Sequence, residues 1–319
     1  VDTNQKTIIN ALLKQAGLDQ ADEIQHLGHG EFNDSHYIKS GAKEFCLRIA
    51  RYDDNNGLAR EADALSRVPR GIAPQLIYFS RQTNPIDHLW IIESYIDGTT
   101  PKRLSLEQFN SMGTQLAQIH TVLAPDHDIV DRGEVTGTKT ELWQYLMWNC
   151  RAFYTPAVIL TDLPDIRITR LAQKIKIWLD EQQERLDFPM TKHLLHKDIT
   201  PGNVLVRGDE VFLIDWELRD FGDPMADFAT GFWDIDLKRG KWRIALNQEE
   251  QNALYGGYTT AGGVIDQMRI QVWTMFDKFG VAVFLCHRIH APTDDTNPEL
   301  QTQYKEDLES IIASLGEQF

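Results

Sequence analysis

The sequence predicts an α+β protein of two unequal lobes: a small antiparallel β lobe over residues 1–97 and a larger, mainly helical lobe over 98–319. Three observations predict it. Between residues 24 and 95, apolar stretches of strand length are separated by glycines and turn residues. Asp97-Gly98-Thr99-Thr100-Pro101 is a cluster of chain breakers, the best candidate linker. Beyond it, apolar residues recur at helical spacing nearly to the C-terminus, with one β interruption at 194–215. A chain of 319 residues is long enough for two such units.

Each element follows from its local pattern. Residues 6–16 place Ile8, Ile9, Leu12 and Leu13 on one helical face, and Gly17 stands where the helix would end. Ile24–Leu27, His36–Ile38 and Phe45–Ile49 read as antiparallel strands, with Gly28, Gly30 and Gly41 between them. Residues 57–67 read as a helix, and Leu76–Phe79 and Leu89–Tyr95 as two more strands. Ser105-Leu106-Glu107-Gln108 is a capping-box pattern that opens a helix carrying Leu106, Phe109, Met112, Leu116 and Ile119. Further helices are expected at 139–152, 166–186, 224–233, 248–258, 263–290 and 302–315. A β lobe linked to a helical lobe leaves a cleft, the default place for a ligand.

Composition narrows the function. There are 32 basic and 47 acidic residues, a formal charge of −15, which argues against nucleic acid as the main partner. Cys46, Cys150 and Cys286 are too scattered for a disulfide framework or a zinc knuckle. Reduced thiols and an N-terminus without a basic, apolar leader point to the cytoplasm. The longest apolar run, Phe279–Cys286, is far short of the ~20 residues of a membrane helix.

The chemistry is concentrated in His193–Glu217. Val204–Val206 and Val211–Ile214 are apolar strands separated by four turn-like residues, hence a hairpin. Pairing about that turn sets residue 203 opposite residue 214. Asn203 and Asp215 then emerge at one end, roughly 5–7 Å apart. Two oxygen donors at that separation suit Mg2+, which is completed by phosphates and water. Asp198 precedes Asn203 by a compact loop containing Pro201-Gly202, which can fold its carboxylate back to the same point. A carboxylate beside a metal–phosphate can accept the proton of an attacking hydroxyl. His196 is expected to brace this loop, and His120 to be structural.

This segment, H-x-D-x-x-x-x-N followed by a hairpin and I-D-W-E, resembles the aminoglycoside phosphotransferase and choline kinase family, small-molecule kinases with a protein-kinase-like fold. The resemblance runs in order over about residues 24–230. Gly28-His29-Gly30-Glu31-Phe32-Asn33 resembles the nucleotide loop, in which an asparagine follows the glycines. Leu47-Arg48-Ile49 resembles the strand with the basic phosphate ligand, and Arg60–Leu65 the helix with its acidic partner, here Glu61. Ile91–Gly98 resembles the hinge, with backbone groups around Ser94 to Ile96 on the adenine edge in a register that the sequence leaves open. Gly222–Asp227 resembles the stretch after the metal aspartate.

The resemblance implies an ATP- (or GTP-) and Mg2+-dependent transfer of the γ-phosphate to a small-molecule hydroxyl. Asp198 would be the catalytic base, and Asn203 and Asp215 the metal ligands. Gly28, Gly30, Asn33, Arg48, Glu61, Ser94 and Ile96 would bind the nucleotide. The alternative is an inactive, kinase-shaped nucleotide-binding protein, against which the intact trio Asp198, Asn203 and Asp215 speaks. The absence of a third loop glycine and of an A-P-E segment after Asp215 argues against a protein kinase. Trp143, Trp148, Trp233, Asp234, Asp236, Trp273 and Asp277 are candidates for the acceptor site. Tryptophan faces with carboxylates suit a cationic acceptor such as an aminoglycoside or an amino-alcohol, although tryptophan is highly buried on average and each single one is expected first as core.

Overall fold

The computed structural model describes residues 2–29, 33–51, 57–80, 86–124, 154–181, 192–239, 243–292 and 297–318. The helix expected at 139–152, with Trp143 and Trp148, lies outside these residues, as does Gly30.

The chain opens with α1 (Thr3–Gln15), which starts earlier than the apolar spacing suggests. Asp2 and Gln5 form a capping box that satisfies the first-turn amides. Five antiparallel strands follow, β1 (Glu23–His29), β2 (Asn33–Ser40), β3 (Lys43–Ala50), β4 (Leu76–Phe79) and β5 (Trp90–Ser94), in the order β1-β2-β3-β5-β4. Between β3 and β4 runs α2 (Gly57–Leu65).

Directly opposed residues of an antiparallel pair share a face. The pairs His36–Leu47, Ile38–Phe45, Leu47–Ile92 and Ile49–Trp90 therefore define one face. It is covered by Ile9, Leu12 and Leu13 of α1 in a core of its own. The pairs Tyr37–Cys46, Cys46–Glu93 and Arg48–Ile91 define the other face.

The second core is larger and built mainly of helices. These are α3 (Leu106–Ile119), α4 (Pro156–Thr161), α5 (Ile166–Glu181), α6 (Met225–Gly231), α7 (Gln248–Thr260), α8 (Gln267–His290) and α9 (Pro298–Gly316). The capping box expected at Ser105–Gln108 is present. Short strands interrupt the helices: β6 (His193–Leu195) with β9 (Asp220–Gly222), β7 (Val204–Arg207) with β8 (Glu210–Leu213), and β10 (Phe232–Trp233) with β11 (Ile244–Ala245). Their few residues carry little periodicity, and the sequence marks only the hairpin. No described helix is long and apolar enough to cross a membrane.

α3 and α7 touch backbone to backbone because each puts a glycine at the crossing. A Cβ on Gly113 would lie 2.0 Å from the Leu254 carbonyl oxygen, and one on Gly257 would lie 1.9 Å from that of Asn110. Neither neighbour can yield without moving a helix. Gly113→Ala and Gly257→Ala should each destabilise by about 2–3 kcal/mol, measured as a drop in the urea midpoint. Unchanged midpoints would contradict this packing.

Candidate active site

The hairpin does what its sequence implies. Val204 pairs with Leu213 and Arg207 with Glu210. The Ile214 amide then donates to the Asn203 carbonyl at 3.0 Å, so Asn203 and Asp215 leave the ribbon at the same end. The residues before it make a single turn of 3-10 helix, Pro201–Asn203. That turn brings Asp198 back: Asn203 Nδ2 donates to Asp198 Oδ2 at 2.8 Å and to the Asp198 carbonyl at 3.0 Å. With its nitrogen so used, Asn203 keeps Oδ1 as the acceptor for a cation. Among the described residues, no group of three His, Cys, Asp or Glu side chains could hold a metal alone. Two oxygens, Asn203 Oδ1 and the Asp215 carboxylate, fit Mg2+ arriving with its phosphates.

The loop is held from behind. Asp227 accepts the His196 amide at 2.9 Å and the Lys197 amide at 2.8 Å, and faces His120 Nε2 at 3.1 Å. His196 Nδ1 accepts the Asp198 amide while Nε2 faces the Ile214 carbonyl, so the proton sits on Nε2. His120 and His196 are braces, as the sequence suggests. Lys197 and Asp215 have φ of 67° and 65°, a left-handed conformation that costs of order 1 kcal/mol in a non-glycine residue. One of the two precedes Asp198 in the anchored loop and the other stands at the hairpin end.

Burial by itself would raise the Asp227 carboxyl. The hydrogen bonds from His120, His196 and Lys197 outweigh it and hold the group below the ordinary value. A depressed carboxyl stabilises the fold fully above the unfolded value of about 4. The contribution fades as pH falls through the lower folded value. Asp227→Asn should therefore cost about 3 kcal/mol near pH 7, a deficit that shrinks below about pH 4. Denaturation at pH 7 and pH 3 tests the sign, and an equal deficit at both would refute it.

From the β lobe, Arg48 reaches the same point. It is buried, one terminal nitrogen bound to Glu61 and the other to Asp215 Oδ1 at 2.9 Å. The Arg48–Glu61 pair is as expected; the bond to Asp215 joins the two lobes and was not legible. Glu61 also accepts the Trp216 amide at 3.2 Å. Asn33 Nδ2 donates to Glu217 Oε2 at 2.6 Å, tying the start of β2 to the I-D-W-E segment. Gly28 lies where the β1–β2 register shifts, after His26.

Carboxylates outnumber Arg48 here. Burial pushes Glu61 up to about 8 and Glu93 up to about 7 against the pull of Arg48, and burial with Asp215 pushes Glu217 up to about 8. Glu61 Oε2, Glu93 Oε2, Asn33 Oδ1 and, on the donor side, Arg48 Nε are buried without a hydrogen-bond partner. Raised carboxyls and unsatisfied buried polar atoms of both kinds suit a site that is completed by a bound cation and a polar ligand.

The backbone from Ser94 to Gly98 is tied to the sheet and to itself. The Ser94 amide donates to Gln75 O, the Tyr95 amide to Glu44 O, and the Ile96 carbonyl accepts from Gly98. Among the described residues, neither the Ser94 carbonyl nor the Ile96 amide bonds to backbone outside the sheet ladder.

On the helical side, burial pushes Asp198 up to about 6, helped by Asp215 and Asp277 and opposed by Arg243. Arg243 Nη1 lies 3.7 Å from Asp198 Oδ1, and its Nε donates to Asp277 Oδ2 at 2.9 Å. Trp233 Nε1 donates to the same Asp277 oxygen at 2.9 Å, and the Arg243 guanidinium lies over the Trp233 ring. No local pattern marks Arg243.

Of the two readings of the candidate tryptophans, core and cage, the described pair takes the core one. Trp233 and Trp273 are buried. Trp273 Nε1 donates to Asp223, and Lys197 lies over its ring. The chain's own cations thus lie over both rings. Asp234 pairs with Lys278, and Asp236 accepts the Ala245 amide. Trp233 and Asp234 also border a cavity of about 620 Å3, with Phe232, Tyr255, Gln271 and Lys278.

Residues 23–264 match the model of the phosphotransferase enzyme family. Over 44 residues the chain is 39% identical to Protein LicA of Haemophilus influenzae, a match covering 14% of this chain and 16% of that protein. Spectinomycin phosphotransferase, with ADP and spectinomycin bound, superposes with a TM-score of 0.59 at 17% identity over 99% of both chains. The streptomycin–ATP–APH(2")-IIa ternary complex gives 0.61 at 15% identity over 99% of this chain and 98% of that one. A provisionally assigned fructosamine-3-kinase from Haemophilus somnus 129PT gives 0.61 at 13% identity over 97% of each. At these identities the superpositions establish the kinase-like bilobal α+β fold.

Proposed function

This chain belongs to the phosphotransferase enzyme family and is a small-molecule kinase, and we propose that it moves the γ-phosphate of Mg-ATP to a hydroxyl of its acceptor with Asp198 as base. One observation carries the reading. Asn203 hydrogen-bonds Asp198 while leaving the hairpin beside Asp215, and Asp215 is bound to Arg48 from the other lobe. The base, two metal oxygens and a phosphate-binding cation are thus gathered at one point by three separate elements.

Each side chain then has a defined task. Asp198 orients the acceptor hydroxyl and takes its proton as the oxygen attacks phosphorus. Asn203 and Asp215 would hold Mg2+, which neutralises charge on the phosphates when bound. Arg48, fixed by Glu61, holds phosphate oxygens, and its permanent charge makes this a clamp at any working pH. Gly28 and Gly30 let the loop backbone approach phosphate, with Asn33 fixed on Glu217 behind it. The Ser94 carbonyl would accept from the adenine amine and the Ile96 amide would donate to ring nitrogen N1. We place the division between the nucleotide lobe and the acceptor lobe at residues 97 and 98. The acceptor approaches from the side of Arg243, Asp277 and Trp233, which stand next to Asp198.

The experiment is phosphate transfer from Mg-ATP across aminoglycosides, choline-like amines, amino-alcohols, sugars and nucleosides, read as phosphorylated product. Transfer abolished by Asp198→Asn supports the assignment. Tight Mg-ATP binding without product from any member of the panel would count against it.

A further inference from the structure

Glu93 is the residue just before the hinge, and no step above uses it. On the ladder it opposes Cys46, and so it shares a face with Arg48 and Ile91, away from α1. That face is where the nucleotide reading puts the ligand. Glu93 is 5% exposed, and its Oε2 has no hydrogen-bond partner. The nearby cation does not supply one: Arg48 gives its terminal nitrogens to Glu61 and Asp215, and its Nε, itself buried without a partner, makes no hydrogen bond to Glu93. A buried carboxylate oxygen left in this condition lacks a donor, and a ligand that brings one is favoured over a ligand that brings a second acceptor.

We propose that Glu93 reads position six of the nucleotide base, accepting a hydrogen from the adenine amine and disfavouring purines that carry a carbonyl there. The proposal rests on the nucleotide-binding reading and deepens it. An adenine amine has two hydrogens. With one on the Ser94 carbonyl, the other turns away from Ile96, toward the side chain that precedes Ser94. Guanine and hypoxanthine put an oxygen at that position, so two acceptors face each other, one of them on a buried carboxylate. Specificity of this kind comes from the unpaired group as much as from the paired one.

Inosine triphosphate is the informative probe, because it differs from ATP only in the carbonyl at position six and the proton on N1. Dissociation constants of Mg-ATP, Mg-ITP and Mg-GTP are measured by calorimetry at pH 8.5, above the value of about 7 to which burial raises Glu93. The wild type should bind ATP at least about tenfold more tightly than either six-oxo nucleotide. In Glu93→Gln the amide can present N–H or C=O, so the ITP:ATP ratio should fall about tenfold, mainly because ITP binds better. The hinge contribution is common to both proteins and cancels in the comparison. Mg-tripolyphosphate, which has no base, should bind both equally. If Glu93→Gln melts early, Glu93→Met removes the acceptor without adding a donor and should narrow the ratio as well.

A wild type that binds ATP and ITP within about threefold, or a ratio left unchanged by both variants, overturns the proposal while the kinase reading stands. Failure of every nucleotide and of Mg-tripolyphosphate to bind would remove both.

Discussion

Asp198→Asn is expected to lower turnover by about a thousandfold or more while leaving Mg-ATP affinity within a few-fold of wild type. The asparagine keeps the shape and can still accept the hydrogen bond that Asn203 donates at 2.8 Å. The backbone contacts that position the loop, from Asp227 to the amides of residues 196 and 197, do not involve the side chain. Basicity is what disappears. The acceptor hydroxyl must then lose its proton to solvent or to phosphate oxygen, and the attack is no longer aimed by a charged acceptor. Steady-state kcat with a confirmed acceptor, paired with calorimetric nucleotide binding, separates the two quantities. Turnover within tenfold of wild type would remove Asp198 as the base. A matching loss of nucleotide affinity would place it on the phosphates instead.

Asp215→Asn has a different signature, because the sign of its effect depends on the metal. Asp215 Oδ1 lies 2.9 Å from Arg48 Nη2 and shares the hairpin end with Asn203. With Mg2+ present, the variant loses an anionic ligand and should bind the nucleotide at least about tenfold, or about 1.4 kcal/mol, more weakly. With Mg2+ removed by chelator, the native carboxylate only repels the phosphates and competes for Arg48. The variant should then bind free ATP as well as or better than the wild type. Calorimetry in both conditions reads the crossover. Equal weakening in both would make Asp215 a structural residue rather than a metal ligand.

Legibility differed from one element to the next. The hairpin and the return of Asp198 were readable because each depends on short spacing, a known turn and strand alternation, whereas the Arg48–Glu61 pair was expected only from the family resemblance. Helices α3, α7 and α8 were placed by long apolar periods, whereas α4, β9 and the β10–β11 pair were not, since two to six residues carry too little periodicity. The tryptophans show the limit most clearly. Counting them with carboxylates left two readings, core side chains or a cage for an ammonium ion, with core the more expected for each. Yet Trp233 and Trp273 are buried beneath the chain's own cations, which composition cannot distinguish from an open aromatic wall.

By itself the sequence determined the class of fold and the chemistry: which carboxylates lie close to one another, which end of a ribbon they leave from, and so what ion and what reaction they suit. Only the tertiary structure decided what surrounds them. It set Arg48 against Asp215, Arg243 beside Asp198, and one carboxylate oxygen of Glu93 in the interior without a hydrogen-bond partner. Neighbours along the chain are fixed by bond geometry and turn type. Neighbours across it are fixed by how helices and sheets pack, which depends on the shape of the whole core and on no single stretch of residues.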